Sequence, residues 1–436
     1  MRTRTIQVFT GPDDTPQQVG TLRFEAEGSR ESVAFAYADS WLGFSGRYSV
    51  DPSLPLGPGW SYHRKAHMSV FQPAFADTEP DGWGRRVILR DHLKRRKSGE
   101  DGEQWPPLDS MDFLLAVDDA SRVGALRYRD EAGVFQRVRE QGRRTAPPLV
   151  KLGALLKATR LLEQDQESAS DLAYLRGCGT SLGGMRPKCT LLDEDGHLAV
   201  GKFPSVTDER PVTKGEVLAM SLARSAGIQV ADTRLVHADG VFVVVSRRFD
   251  RTHSQGRVPF VSAATFLGVE KGDPGEHAYT ELVERMRGFG SRFAPDSEEL
   301  WRRIAFNILI TNLDDHLHNM GFLHEARELW RLAPAYDLNP FPDRQGQDLK
   351  TWISEEMGPQ ASIENLRSAG RAFGLRKGRD VVILSEVEQA VARWRSEGAA
   401  LGMTARELDL FAPAFEHGQR VLARKAAGLP SARGRS

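Results

Sequence analysis

The chain has 436 residues, with 59 Lys and Arg against 59 Asp and Glu, so its formal net charge is zero. At 40% apolar and 27% charged residues it can bury a core, and it is neither a disordered polyampholyte nor a nucleic-acid binder coated in positive charge. Cys178 and Cys189 make no disulfide framework, apolar runs such as 241–245 are too short for a membrane span, and the start lacks the apolar stretch of a secretory signal, so a cytoplasmic protein of two or three domains is expected. Only 12 of the basic residues are Lys against 47 Arg, so a lysine inside an apolar strand stands out.

In chain order, Leu22, Phe24 and Ala26 alternate, as do Val33, Phe35 and Tyr37, across a turn at Glu27-Gly28-Ser29. A helix is expected from the Pro80–Gly84 stretch through the basic run Arg85 to Lys97. A strand pair is expected at 111–117 and 124–128. The polar, basic segment 137–148 reads as a boundary. After it, Leu152, Leu155, Leu156 and Thr159 have helical spacing. A Gly-rich stretch, 177–184, leads into a hairpin, 188–192 with 198–203, turning at Asp195-Gly196. A helix over 212–224 and a second hairpin, 233–236 with 241–247 across Asp239-Gly240, follow. From about Glu276 onward the pattern is mostly helical.

The sharpest chemical feature is Asn312-Leu313-Asp314-Asp315-His316-Leu317-His318-Asn319, behind an amphipathic helix carrying Trp301, Ile304, Ala305 and Ile308 on one stripe. It admits three readings: a metal site on His316 and His318 with the two carboxylates of Asp314 and Asp315, a solvated polar loop, or a phosphotransferase loop. In the third, Asp314 positions a hydroxyl and takes its proton while Asn319, five residues on, binds Mg²⁺. That reading demands other parts. Asp337, among apolar neighbours in Ala335-Tyr336-Asp337-Leu338-Asn339-Pro340, supplies a second carboxylate for the metal, and its alternative is a turn cap. Lys202 lies mid-strand on one face with Leu198 and Val200, just after the Ser181–Lys188 loop whose backbone N–H groups suit phosphate. Glu216, on the next helix, either orients Lys202 or faces solvent. Gly loop, strand Lys, helix, hairpin, helical part, Asp-x4-Asn and Asp together follow the order of a kinase. G-x-G-x-x-G, H-R-D, D-F-G and A-P-E are all missing, so this is not a conventional eukaryotic-type kinase.

Several blocks together resemble the HipA-like serine/threonine kinase toxins of bacterial toxin–antitoxin systems. They are Pro80-Asp81-Gly82-Trp83-Gly84-Arg85-Arg86, Gly124-Ala125-Leu126-Arg127-Tyr128, Gly179-Thr180-Ser181-Leu182-Gly183-Gly184-Met185-Arg186-Pro187-Lys188 and Lys202-Phe203-Pro204-Ser205. Arg247-Arg248-Phe249-Asp250-Arg251, the Asp314 loop and the Asp337 segment complete the set. The resemblance implies an α+β, bilobed, atypical protein-kinase-like fold with a phosphoinositide-kinase-like catalytic loop. It divides the chain into an N-terminal mixed α/β subdomain (1–135), a kinase N-lobe (148–250), a helical C-lobe (251–425) and a basic tail (426–436).

By position, Asp314 is then the general base, Asn319 and Asp337 the Mg²⁺ ligands, and Lys202 the phosphate-binding lysine. The ATP site would include Ser181, Gly183, Gly184, Met185, Arg186, Pro187, Lys188, His316 and Tyr336, with Arg247, Arg248 and Phe249 as the adenine hinge. Ser181 matches a position of autophosphorylation, where a phosphate would bring roughly −1.5 to −2 charge and eject the loop. Members pair with a small helix-turn-helix antitoxin of HipB type that contacts operator DNA, and their described target is a glutamate-specific aminoacyl-tRNA synthetase. This chain departs from the family in having Leu313 where Thr is commoner and Arg247 where some members are acidic. Two other functions remain open from the residues. One is a kinase with a lipid or small-molecule acceptor, although no membrane-binding helix is evident apart from the Arg85–Lys97 run. The other is a non-catalytic co-repressor scaffold, in which that run or the basic C-terminus touches DNA.

Overall fold

The computed structural model describes residues 2–65, 67–80, 82–98, 106–136, 151–177, 184–254, 256–344 and 348–430. The expected boundary at 137–148 and most of the Gly-rich stretch lie outside them. The chain forms two compact units, one of residues 1–207, 236–273 and 326–328, the other of 208–235, 274–325 and 329–436.

In the first unit, β1 (Arg2–Thr10), β2 (Gln17–Glu27), β3 (Arg30–Tyr37), β4 (Trp60–Arg64) and β5 (Arg127–Arg129) make one antiparallel sheet in the order β4-β3-β2-β1-β5. Alternation sets the register: Leu22 lies opposite Phe35 and Phe24 opposite Val33, all four buried on one face. Gly20 is required where the strands close up, since a Cβ there would come within 2.3 Å of the Ala36 carbonyl oxygen.

The helices here are α1 (Asp39–Leu42), α2 (Pro73–Ala76), α3 (Gly82–Ser98), α4 (Ser110–Ala116), α5 (Leu152–Glu163) and α6 (Ala169–Gly177). The strand expected at 111–117 is instead α4. Asp109 and Asp112 form a reciprocal capping box at 2.7 and 3.1 Å, and Met111, Leu114 and Leu115 fall on one buried helical stripe. Short apolar runs are ambiguous between strand and helix, and the cap decides this one.

A second sheet orders β6 (Lys188–Leu192), β7 (Leu198–Lys202), β8 (Thr233–Ala238) and β9 (Val241–Arg247) as β6-β7-β9-β8. Gly196 in the first hairpin and Asp239-Gly240 in the second take positive φ, as tight turns between twisted strands require. Cys189, Leu191, Ala199, Phe203, Val243 and Val245 pack with Leu152, Leu155 and Leu156 of α5 into one core cluster. Lys188, Thr190, Leu198, Val200 and Lys202 therefore occupy the opposite face. β10 (Phe260–Ser262) and α8 (Ala263–Leu267) close this unit.

The second unit holds α7 (Val212–Ser225), α9 (Tyr279–Phe289), α10 (Phe293–Leu309), α11 (Ile363–Ser368), α12 (Arg379–Val391), α13 (Trp394–Ala400), α14 (Ala405–Phe415) and α15 (Gly418–Ala426). One hairpin interrupts the helices, β11 (Gly321–Ala326) and β12 (Leu329–Leu332). Its core helix is α10: Trp301, Ile304, Ala305 and Ile308 are all buried, and the Trp301 indole N–H donates to the Leu366 carbonyl at 3.0 Å. Glu388 of α12, fully buried, takes Arg420 at 3.0 Å and Arg424 at 2.7 Å and so docks α15. No helix among the described residues is long and apolar enough to cross a membrane.

Gly201 places the Lys202 strand against its core, where a Cβ would meet Leu191 Cδ2 at 2.8 Å and Cys189 Sγ at 3.5 Å. Gly201→Val is expected to overpack this core and destabilise it by about 2 kcal/mol, read as a lowered midpoint in thermal unfolding. An unchanged midpoint would contradict this packing.

Candidate active site

The loop after α10 is built by backbone and buried amides. Thr311 takes a left-handed φ of +55° and its hydroxyl donates to the Ala414 carbonyl at 2.9 Å. The Asn312 N–H donates to the Asn307 carbonyl at 2.8 Å, and its side-chain amide to Asn307 Oδ1 at 3.0 Å. Asp315 then turns inward. Its Oδ2 accepts from the Tyr279 hydroxyl at 2.6 Å and from Asn307 Nδ2 at 2.8 Å, and its carbonyl accepts from Thr351 Oγ1 at 2.7 Å. The Lys350 N–H on Leu313 O at 3.1 Å completes the anchorage.

With Asp315 buried, its neighbour Asp314 is left half-exposed. The Asp314 carbonyl accepts from the His316 N–H at 2.9 Å and from Asn319 Nδ2 at 3.0 Å. That second bond uses the donor end of the Asn319 amide and leaves its oxygen as an acceptor. Asp337 is half-buried at a left-handed φ of +58°, with Asn339 Nδ2 on its Oδ1 at 3.1 Å. The Tyr336 hydroxyl donates to the His318 carbonyl at 3.0 Å, bridging the two segments. A carboxylate and an amide oxygen suit a hard cation that takes few protein ligands and completes its shell with water and phosphate.

The metal reading of the two histidines gains nothing. His316 and His318 are exposed with ring centroids 6.0 Å apart, and the described residues hold no cluster of three or more His, Cys, Asp or Glu fit for a metal. Glu216 is buried on α7, not on a solvent face.

In the first unit, β6 and β7 pair with Lys188 directly opposite Lys202. Like charges directly opposite one another repel. Lys188 Nζ lies where a Cβ on Gly184 would come within 2.8 Å, and Gly184 has φ of +95°, so the position is built for glycine. Thr190, on the same face, has a buried hydroxyl with no hydrogen-bond partner among the described residues. The Gly184 carbonyl accepts from the Trp83 N–H at 3.3 Å, which joins the 80–86 block to the end of the loop. Met185 and Arg186 are exposed and Pro187 is buried. Ser181 and Gly183 lie outside the described residues.

In the hinge stretch both arginine side chains are engaged within the protein. Arg247 donates to Asp193 at 2.8 Å and Asp195 at 2.7 Å, and the buried Arg248 guanidinium holds Asp250. Any adenine contact from these two residues thus comes from backbone, or from Phe249. Sequence reasoning gave Asp315 no structural role and passed over Asn307 and Tyr279. The one available signal was a second aspartate immediately after Asp314.

The element order is that of a kinase-like mixed α/β fold. The model of the HipA N-terminal domain matches residues 15–129 and that of the HipA-like C-terminal domain residues 180–394. The chain belongs to the HipA family. The HipA chain of the Shewanella oneidensis HipA, HipB and operator DNA complex superposes with a TM-score of 0.64 at 16% identity, covering 97% of this chain and 98% of that one. Two Sinorhizobium fredii proteins are similar in sequence. "Putative kinase Y4dM" is 29% identical over 47% of this chain, and Y4mE, of the same description, is 24% identical over 55%. The matched regions span 54% and 63% of those two proteins.

Burial pushes the Asp315 carboxyl up to about 6, against the Tyr279 hydrogen bond and Arg303, with the Asp337 charge adding to the rise. A carboxyl raised on folding stabilises the fold while protonated. That contribution is complete below about 4, the unfolded value, and is lost as pH rises through about 6. The stability of Asp315→Asn relative to wild type should therefore climb between pH 4 and pH 7, by on the order of 2 kcal/mol, in urea unfolding. A difference independent of pH would contradict it.

Proposed function

We propose that this chain is an ATP- and Mg²⁺-dependent serine/threonine protein kinase acting as the toxin of a toxin–antitoxin pair. The observation that carries the reading is the latch from Asn319 Nδ2 to the Asp314 carbonyl, which sets an exposed-side carboxylate beside an amide oxygen, with Asp337 bridged in through Tyr336. Family membership and relatives named as kinases support it.

In this reading Asp314 receives the hydroxyl of a substrate Ser or Thr. Its carboxylate takes the proton as the hydroxyl oxygen bonds to the γ-phosphorus and the bond to the β–γ bridging oxygen breaks, releasing ADP. Lys188 and Lys202 hold phosphate oxygens, joined by backbone N–H groups from Ser181 to Lys188. His316 and Tyr336 line the nucleotide, and Phe249 with the backbone of Arg247 and Arg248 receives adenine. Mg²⁺ on Asn319 and Asp337 would neutralise charge on the transferred phosphate. Autophosphorylation at Ser181 would place like charge at the phosphate site and switch the enzyme off.

A HipB-type antitoxin is the proposed partner, since the Shewanella chain assembles with HipB and operator DNA. DNA contact then runs through that complex. The proposed substrate is a cytoplasmic bacterial protein, with glutamyl-tRNA synthetase the first to assay.

The test is phosphate transfer from labelled ATP with Mg²⁺ to a bacterial lysate, to that synthetase and to the chain itself. Asp314→Asn is expected to lower transfer by about 1,000-fold and to abolish label at Ser181. No transfer by wild type to any protein, itself included, would overturn the kinase reading in favour of a scaffold.

A further inference from the structure

We propose that Asp250 is a positioning residue for the adenine hinge, fastening residues 247–251 to the 120–124 loop of the N-terminal sheet so that nucleobase binding depends on that loop. The inference rests on the hinge reading above and deepens it.

Asp250 is buried, and its carboxylate is shared by three donors. Arg248 Nε bonds Oδ1 at 2.7 Å and its Nη2 bonds Oδ2. Arg251 Nη1 reaches Oδ2 at 3.0 Å, and the Gly124 N–H donates to Oδ2 at 2.7 Å. So oriented, the two guanidiniums spend their remaining N–H groups on the loop's carbonyls. Arg248 donates to Ser121 O at 2.6 Å and Arg122 O at 3.0 Å. Arg251 donates to Gly124 O at 3.0 Å, Ala120 O at 3.2 Å and Arg122 O at 2.8 Å. Six hydrogen bonds thus tie two segments more than 120 residues apart. Two of the blocks singled out in the sequence, 124–128 and 247–251, turn out to be partners.

Gly124 is suited to its place, with φ of +69° and a Cβ position 3.2 Å from the Phe260 N–H nitrogen. From the other side, Asp193 and Asp195 hold Arg247. With both arginine side chains committed and the Arg248 N–H given to the Leu198 carbonyl at 2.9 Å, the remaining backbone groups of these residues are what a nucleobase can read, and its recognition depends on where that backbone stands. Displacing such a strand by about 1 Å forfeits oriented contacts. Lys188 and Lys202 lie on β6 and β7, and the clamp reaches Lys202 only through the pairing of β7 with β9, whereas residues 248–251 are held by it directly.

The test is calorimetric titration of the full chain with Mg-ATP and with Mg-tripolyphosphate, which carries phosphates and no base. Asp250→Asn and Arg248→Lys are compared with wild type after circular dichroism has identified which are folded at the assay temperature. In each folded variant Kd for ATP should rise at least tenfold while Kd for tripolyphosphate stays within twofold. Parallel loss of both ligands, or loss of neither, would overturn the clamp. If Asp250→Asn does not fold, Arg248→Lys decides alone, since it keeps the charge and removes only the fork. Wild type that binds neither ligand would instead overturn the nucleotide reading, and the clamp with it.

Discussion

A carboxylate taken out of water must be met by cations or by hydrogen-bond donors, and this requirement organises both units. In the first, Asp250 takes Arg248 and Arg251, and Asp119 takes Arg127 at 2.8 Å and Arg257 at 3.1 Å. In the second, Glu388 takes Arg420 and Arg424. Each of these carboxylates receives two guanidiniums, whose planar forks leave N–H groups over for backbone carbonyls. An arginine-rich composition therefore serves the interior as well as the surface: Arg122 is fully buried and gives its N–H groups to the carbonyls of Thr78, Leu114 and Val117. Removing one partner from such a pair costs about 3–5 kcal/mol, so these clusters fix which segments lie together.

Asp315 meets the same requirement differently. Its hydrogen-bond donors are neutral, a tyrosine hydroxyl and an asparagine amide, and burial keeps its carboxyl raised in spite of them. Neutral donors fix the loop without neutralising its neighbour. The backbone contributes too. Thr311, at the head of this loop, and Asp337, in the segment that Tyr336 joins to it, are two of the five non-glycine residues with positive φ among the described residues. Left-handed non-glycine residues persist where surrounding bonds over-determine them. Here those bonds are Thr311 Oγ1 to Ala414 O and Asn339 Nδ2 to Asp337.

Much of this was legible from periodicity and spacing. The strands around Phe24 and Phe35, the two Gly-turn hairpins, the α10 stripe and the Asp-x4-Asn loop all depend on neighbours a few residues apart, and short-range pattern carries that information. What escaped depends on distant partners or on a choice between short-range signals. At 111–117 the apolar residues fit either strand or helix, and the Asp109–Asp112 cap settled it. At 247–248 nothing local shows that Asp193, Asp195 and the 121–122 carbonyls hold the arginine side chains. Asp315 was given no structural role because its burial is decided by Tyr279, 36 residues upstream.

The scarcity of lysine gives the site its last constraint. With 47 arginines available against 12 lysines, the chain places lysine at both 188 and 202, directly across one strand pair. Arginine would bring two broad, weakly hydrated forks onto a narrow face beside Gly184, where Lys188 Nζ already sits within 2.8 Å of a would-be Cβ. Lysine brings two compact point charges to this face in place of two planar forks. The same face carries Thr190 with its buried hydroxyl unpartnered among the described residues, a polar group that an apolar ligand would leave unsatisfied. Two ammonium groups and a hydroxyl thus share the face of this strand pair opposite its apolar core.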